Sequence, residues 1–423
     1  MRRGFLLSLA WRSAWNRRLT LALTVCSIAL STFLLLGMER VRNDVRSSFG
    51  SAVSGTDLIV GPRTGSVQLL LYAVFHIGAA THNMRWSSVQ AVEGLRGVAW
   101  VVPLSLGDSH RGFPVLGTTP AYFTHFHYGE QQSLRWREGR RFEDLYDAVI
   151  GAEVAERLGY GLGQRITLAH GTGEAGPGTD HGDKPFTVAG ILERTGTPVD
   201  RTVHISLQAM EALHVDWLAG APLPGARIGA EQARAMDLQP RSVTAALVGL
   251  QHRAAVFSVQ RQINHHGAEP LMSILPGVAL DELWDLVGTA EQALLLMSAM
   301  VALVSMAGLV SVVFAGLNER RRELAVLRAV GASAAHVLAL LVLEGSLVTL
   351  AGMAVGIAAL AACGLALGPW LQSALGLSLQ LGQPTASQWL LLGGLLVAGC
   401  AASLLPGWRA YRLSLADGLS PRM

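Results

Sequence analysis

Histidine is the residue type whose placement first suggests chemistry. Twelve of the thirteen histidines fall between Glu39 and Thr289, and imidazole joined by carboxylate is a donor set for zinc or copper. Alternate positions on a strand share a face, so His125 and His127 could chelate one cation. His170 and His181, with Asp180 and Asp183, flank the Gly-rich loop Gly171 to Asp183 and could capture a cation there. Neither set has the spacing of a defined metal site, since there is no HExxH and no cysteine-histidine pattern. No metal site is assigned on spacing, and solvated surface histidines are the plainer reading of all four residues. Other chemistries have less support. No G-x-S-x-G elbow and no paired acidic motif occurs, and Cys26, Cys363 and Cys400 all lie in apolar runs. A Walker loop needs Gly-Lys-Ser/Thr, whereas the single lysine, Lys184, precedes Pro185. The chain therefore reads as a non-enzyme that binds no cofactor of its own. Its other basic residues are arginines placed locally, not a diffuse basic surface, so nucleic acid is not an expected partner.

A different kind of function is suggested by Asn318 to Ser333, NERRRELAVLRAVGAS. Glu319 and Glu323 stand near its start, Leu324, Leu327 and Val330 recur at helical spacing, and Gly331 is placed to end a helix. Arginines beside an apolar run commonly do no more than fix topology. Here an apolar stripe lies beside them, and such a helix suits insertion into the groove of another protein. Glu344 is the one ionisable residue in an otherwise apolar run; snorkelling to the interface or pairing with an arginine is its structural reading, and an intramembrane functional carboxylate the alternative.

The elements that must position these residues are membrane spans. Over half of the residues are hydrophobic and 15% are charged, which is apolar for a soluble chain of this size. Leu19 to Met38 holds no charge and no proline, long enough to cross about 30 Å of hydrocarbon as a helix. Uncharged runs recur at Gln292 to Leu317, Gly345 to Leu367 and Trp389 to Leu405, making four spans. The run Val67 to Ala80 is too short to cross and reads as a buried or interfacial helix. Arginines precede the first span, fill the connection after the second and follow the fourth, while Gly368 to Gln388 carries no charge. Positive residues stay on the cytoplasmic side, so both termini are expected there and Glu39 to Thr289 outside. Residues 1–18 read as a cytoplasmic interfacial helix, 19–38 as span one, 39–289 as the exported domain and 290–317 as span two. A coupling helix at 318–335, span three at 336–367, a loop at 368–388, span four at 389–408 and a tail at 409–423 complete the order.

Within the exported stretch, short β-branched or aromatic runs alternate with helical ones, which predicts a mixed α+β domain, expected as two subdomains. Strands are predicted at Val98 to Leu106, Phe113 to Gly117, Ala148 to Gly151, Arg165 to Ala169, Phe186 to Leu192, Val203 to Ser206 and Val243 to Leu250. Helices are predicted at Glu153 to Leu158, Leu207 to His214 and Ala254 to Asn264. The fold class is thus an α-helical membrane protein with four transmembrane helices and a large α+β extracytoplasmic domain between spans one and two.

This order of parts, with NERRRELAVLRAVGAS after the second span, resembles the MacB/FtsX permeases of ATP-binding-cassette transporters. The likeness extends to Asp147 to Thr167, Phe186 to Leu207 and the ending PGWRAYRLSLADG. It implies a permease subunit of an exporter or mechanotransmission complex in the bacterial inner membrane. By the resemblance, Asn318, Glu319, Arg320, Arg321, Arg322, Glu323, Leu324, Leu327, Arg328 and Gly331 would meet a cytoplasmic ABC ATPase subunit that binds ATP and Mg. A second permease subunit, in a homodimer, and a periplasmic adaptor or substrate-binding protein are the other implied partners, with membrane lipid around the spans. A lipoprotein-releasing or cell-envelope regulatory machine is the alternative within the family. A membrane-anchored periplasmic metal-binding or sensor protein is the alternative outside it.

Overall fold

The computed structural model describes residues 18–52, 54–78, 80–171, 181–218, 221–222, 228–319, 331–375 and 385–412. The chain divides into two compact units, residues 45–287 and residues 1–44 with 288–423. The main helices, in chain order, are α1 (Arg18–Ala52), α2 (Ser66–Phe75), α3 (Leu207–His214), α4 (Pro276–Glu319), α5 (Ala334–Leu375) and α6 (Ala386–Arg412). Four of them, α1, α4, α5 and α6, are long and apolar enough to cross a membrane. They outrun the uncharged stretches of the sequence, because a helix need not stop where it leaves hydrocarbon. Thus α1 continues past Met38, α4 begins ahead of Ala290, and α5 begins at Ala334, inside the stretch read as coupling helix. The proposed interfacial helix and the tail beyond Arg412 lie outside the described residues, as does 376–384 of the loop between α5 and α6.

Small residues set how these helices pack. Gly352 and Gly356 of α5 lie against α1, and a Cβ on Gly356 would stand 2.6 Å from the Ala29 carbonyl oxygen and 2.8 Å from Thr32 Cβ. Glycines four apart let two helix backbones approach closely where lipid supplies no hydrophobic drive. The same logic joins α5 to α6, where Gly345 meets Ser403 and Gly399 meets Thr349. Ser305 of α4 lies 2.8 Å from Ser27 Oγ and 2.7 Å from Ser31 Oγ, a hydroxyl cluster that links α4 to α1. Ile28, Met306, Leu309, Met353, Leu395 and Ala402 fill the space among the helices. Leu303 and Val304 point outward, 69% and 70% exposed, as residues that face lipid do.

Residues 45–287 hold one 11-stranded mixed sheet. Its strands are β1 (Leu58–Pro62), β2 (Val98–His110), β3 (Phe113–Thr118), β4 (Trp136–Gly139), β5 (Asp147–Ile150), β6 (Arg165–Ile166), β7 (Ala169–His170), β8 (Phe186–Leu192), β9 (Val203–Ser206), β10 (Ala245–Leu250) and β11 (Leu271–Ile274). Their order is β11-β1-β10-β2-β3-β9-β5-β8-β4, with β7 added to β2 and β6 to β8. The pairs β8 with β5 and β9 with β3 are parallel, and the remaining pairs antiparallel. Beside it lie three two-stranded sheets, and the side chains of the unit form three separate core clusters. The apolar run after Gly65 forms α2, whose Leu69, Leu70, Tyr72 and Phe75 are buried in the first cluster. It is thus a core helix of the α+β unit. Gly61 of β1 is needed beneath it, since a Cβ there would meet Leu69 at 2.7 Å.

Candidate functional site

The arginine-rich segment is bracketed by the structure. Asn318 and Glu319 close α4, and Gly331, at φ 101, precedes α5. A left-handed backbone of this kind favours glycine. Ser333 then accepts from the His336 backbone N–H to begin α5. Arg320, Arg321, Arg322, Glu323, Leu324, Leu327 and Arg328 lie outside the described residues. Glu344 is half-buried near the start of α5, ten residues beyond Ala334.

The histidines divide sharply. His125 ends a short helix, Tyr122–His125, and its ring stacks on Trp100 at 4.7 Å. His127 starts a two-residue strand, and its Nδ1 lies 2.7 Å from the His125 carbonyl oxygen. The shared strand face expected of this pair is therefore not formed, because a helix end intervenes. His110 is buried between the Thr167 carbonyl at 2.7 Å and the Tyr160 hydroxyl at 3.0 Å. Asp183 pairs with Lys184, and Asp180 lies outside the described residues.

His170 and His181 do come together, and they are joined by two residues that spacing does not reveal. In β7, His170 pairs directly across from Asp108 of β2. A bulge between Leu106 and Asp108 shifts the β2 register against β3 just before this point, the kind of irregularity that re-aims a side chain. His214 arrives at the end of α3, which Ser206 caps by accepting from the Ala209 N–H at 3.0 Å. His181 is held by its backbone N–H to the Leu168 carbonyl at 2.9 Å. The next turn buries Lys184 completely, with its Nζ 2.9 Å from Asp216 Oδ1. That ion pair ties the His181 turn to the segment just after His214. Among the described residues, Asp108, His170, His181 and His214 form a group whose potential ligand atoms all lie within 4.8 Å of one another.

His170 Nδ1 stands 3.0 Å from Asp108 Oδ1 and 3.1 Å from His214 Nε2, which is 3.4 Å from Asp108 Oδ1. Asp108 and His181 are 2% exposed, whereas His170 and His214 keep about a third or less of their side-chain surface open. Trp217 covers the group, its ring centroid 4.8 Å from His170, 5.0 Å from His181 and 5.9 Å from His214. Burial alone would raise the Asp108 pKa, yet hydrogen bonds from His170 and His214 hold it at about 2. Burial likewise lowers His181. For His214, burial is outweighed by the carboxylate of Asp108, which raises it. A permanent anion is thus kept in a pocket walled by three imidazoles.

Comparison with known proteins matches both parts of the chain. Residues 21–265 match the family model of the MacB-like periplasmic core domain, and residues 295–415 that of the FtsX-like permease C-terminal region. No curated protein matches the sequence. Among solved structures, the periplasmic region of MacB from Actinobacillus actinomycetemcomitans is similar at 11% identity and TM-score 0.33, covering 55% of this chain and 94% of that one. The extracellular domain of the noncanonic ABC-type transporter YknZ from Gram-positive bacteria is similar at 14% identity and TM-score 0.30, covering 52% and 99%.

Proposed function

The chain belongs to the MacB/FtsX family of ABC-transporter permeases, and from that premise we propose that it couples a separate cytoplasmic ATPase to movement of its α+β unit outside the inner membrane. The observation that carries this reading is the order of the two family matches, the core domain first and the permease region after it, on a chain with four membrane-length helices. Arginine at the N-terminus, between α4 and α5 and after α6 supports an orientation with both termini and the coupling segment cytoplasmic. The α+β unit then stands between spans one and two on the far side.

Element continuity supports a mechanical role. One unbroken helix, α4, runs from Pro276, just after β11, to Glu319 at the coupling segment, a length of about 66 Å at 1.5 Å per residue. Its first turns are built into the core of the α+β unit through Ala279 and Leu280, and the last turns of α1 likewise through Ala52. Phe49 of α1 stacks on Phe75 at 4.2 Å and meets Trp284 of α4 edge-on at 5.6 Å. In this reading the chain is a non-catalytic subunit working as a homodimer, ATP and Mg bind the partner ATPase, and a periplasmic adaptor or substrate-binding protein engages the α+β unit. The reading is tested by reversing two charges of the coupling segment, Arg321→Glu with Glu323→Arg. The double variant should reach the membrane at normal levels and lose the ATPase on co-purification, and retention of the ATPase at the wild-type level would remove these residues from the contact.

A further inference from the structure

We propose that Asp108, His170, His181 and His214 form a binding site for one divalent transition cation of the zinc class. The inference rests on the α+β unit alone and stands or falls independently of the ATPase partner. Its first support is convergence. Four donors from four separate segments meet within 4.8 Å, with pairs at 3.0, 3.1 and 3.4 Å. Ligands on a tetrahedral zinc ion, with bonds near 2.0–2.1 Å, stand about 3.4 Å apart, so these separations fit with small side-chain adjustments.

The second support is unsatisfied polarity. Asp108 Oδ2 and His181 Nε2 are buried and have no hydrogen-bond partner among the described residues. A buried polar atom without a partner loses its hydration with nothing in return, and two of them in one cluster of four call for a ligand. The third is the preparation of His214. Its Nδ1 lies 2.9 Å from the Met210 carbonyl oxygen, which can only accept, so Nδ1 keeps its proton and Nε2, the nitrogen that faces Asp108, is the one that would give up its proton to an ion. That is the outer hydrogen bond by which a metal-ligating histidine is oriented.

Donor chemistry selects the cation. Three imidazoles and one carboxylate suit zinc, cobalt, nickel or copper, whereas calcium and magnesium require oxygen ligands throughout. Among the described residues, the buried cation nearby is Lys184, which is engaged by Asp216 and Asp183 and so leaves the Asp108 charge for the ion. His170 and His214, the more open pair, give the ion its entry, while Trp217 shuts water from the other side. Bound there, the ion would cross-link β2, β7, the His181 turn and α3.

The test uses the full chain in detergent, stripped of metal and carrying a tag free of histidine. Titration with Co²⁺ should saturate at one ion per chain, show the visible absorption of a four-coordinate site, quench Trp217 emission, and be reversed by Zn²⁺ but not by Mg²⁺. His170→Gln and His214→Gln change half-open residues, and each should lower affinity by at least about 100-fold while circular dichroism stays that of the wild type. Lys184→Met should cost about 10–100-fold through the His181 turn, and His125→Gln with His127→Gln should cost nothing. If the wild type takes up Co²⁺ without saturation, or the folded His170→Gln and His214→Gln variants keep its stoichiometry and spectrum, the cluster is a hydrogen-bond network only and the proposal is wrong.

Discussion

At the scale of single residues, the buried histidine of β9 makes the stability of the α+β unit sensitive to acid. His204 is fully buried against Tyr122 and Phe123, with Nδ1 3.3 Å from the Val149 carbonyl and no partner for Nε2 among the described residues. Burial, reinforced by the charge of His76, lowers its pKa to about 3. An unfolded histidine titrates near 6.5, so between about pH 6.5 and 3 the unfolded chain binds the extra proton and stability falls as pH drops, by up to about 1.4 kcal/mol per pH unit. His204→Phe should flatten the decline in unfolding midpoint of the detergent-solubilised chain between pH 6.5 and 4.5. An unchanged slope would show that other groups dominate. The sequence marks His204 only as one more histidine, since its burial follows from the pairing of β9 between β3 and β5. The metal candidates show the same limit. His170 and His181 flank a loop and are visible as a pair, but Asp108 is 62 residues from His170, and only the β2–β7 register places them opposite each other. His125 and His127 mislead because alternate spacing implies a shared face only when both residues lie on one strand.

At the scale of elements, the packing of α5 on α1 depends on having no side chain at Gly356. Gly356→Ala would force a methyl against the Ala29 carbonyl and Thr32, and overpacking of this kind costs about 1–3 kcal/mol. Gly393→Ala, on α6, meets nothing within 4 Å and should be neutral or slightly stabilising through helix propensity. Thermal unfolding of the two variants in the same detergent should separate them by several degrees, and equal midpoints would contradict the close α1–α5 contact. The motif Gly352-x-x-x-Gly356 is present in the sequence, but a reading of that run for length and charge alone passes over it. Elements with strong local signals are read to the residue, as with Phe186–Leu192, Val203–Ser206 and Leu207–His214. In each, β-branched density or helical spacing agrees with the tertiary packing. Short pieces such as Trp136–Gly139 and Leu271–Ile274 carry no such signal, because their pairing comes from the neighbouring strand and not from their own composition.

At the scale of the whole molecule, hydropathy and the placement of arginine make the span count legible, since four long apolar helices must be covered by lipid or by one another. The continuity of the sheet is not legible, because a long-range strand order leaves no mark on local composition. In the function proposed above, this chain is the membrane half of a machine whose motor is another polypeptide. The most direct measurement is affinity purification of the tagged chain from its native membrane in mild detergent, followed by mass spectrometry and a vanadate-sensitive ATPase assay. A stoichiometric ABC ATPase whose hydrolysis activity accompanies the chain is the predicted result. A pure, well-folded chain that carries no ATPase and supports no vanadate-sensitive hydrolysis would contradict it.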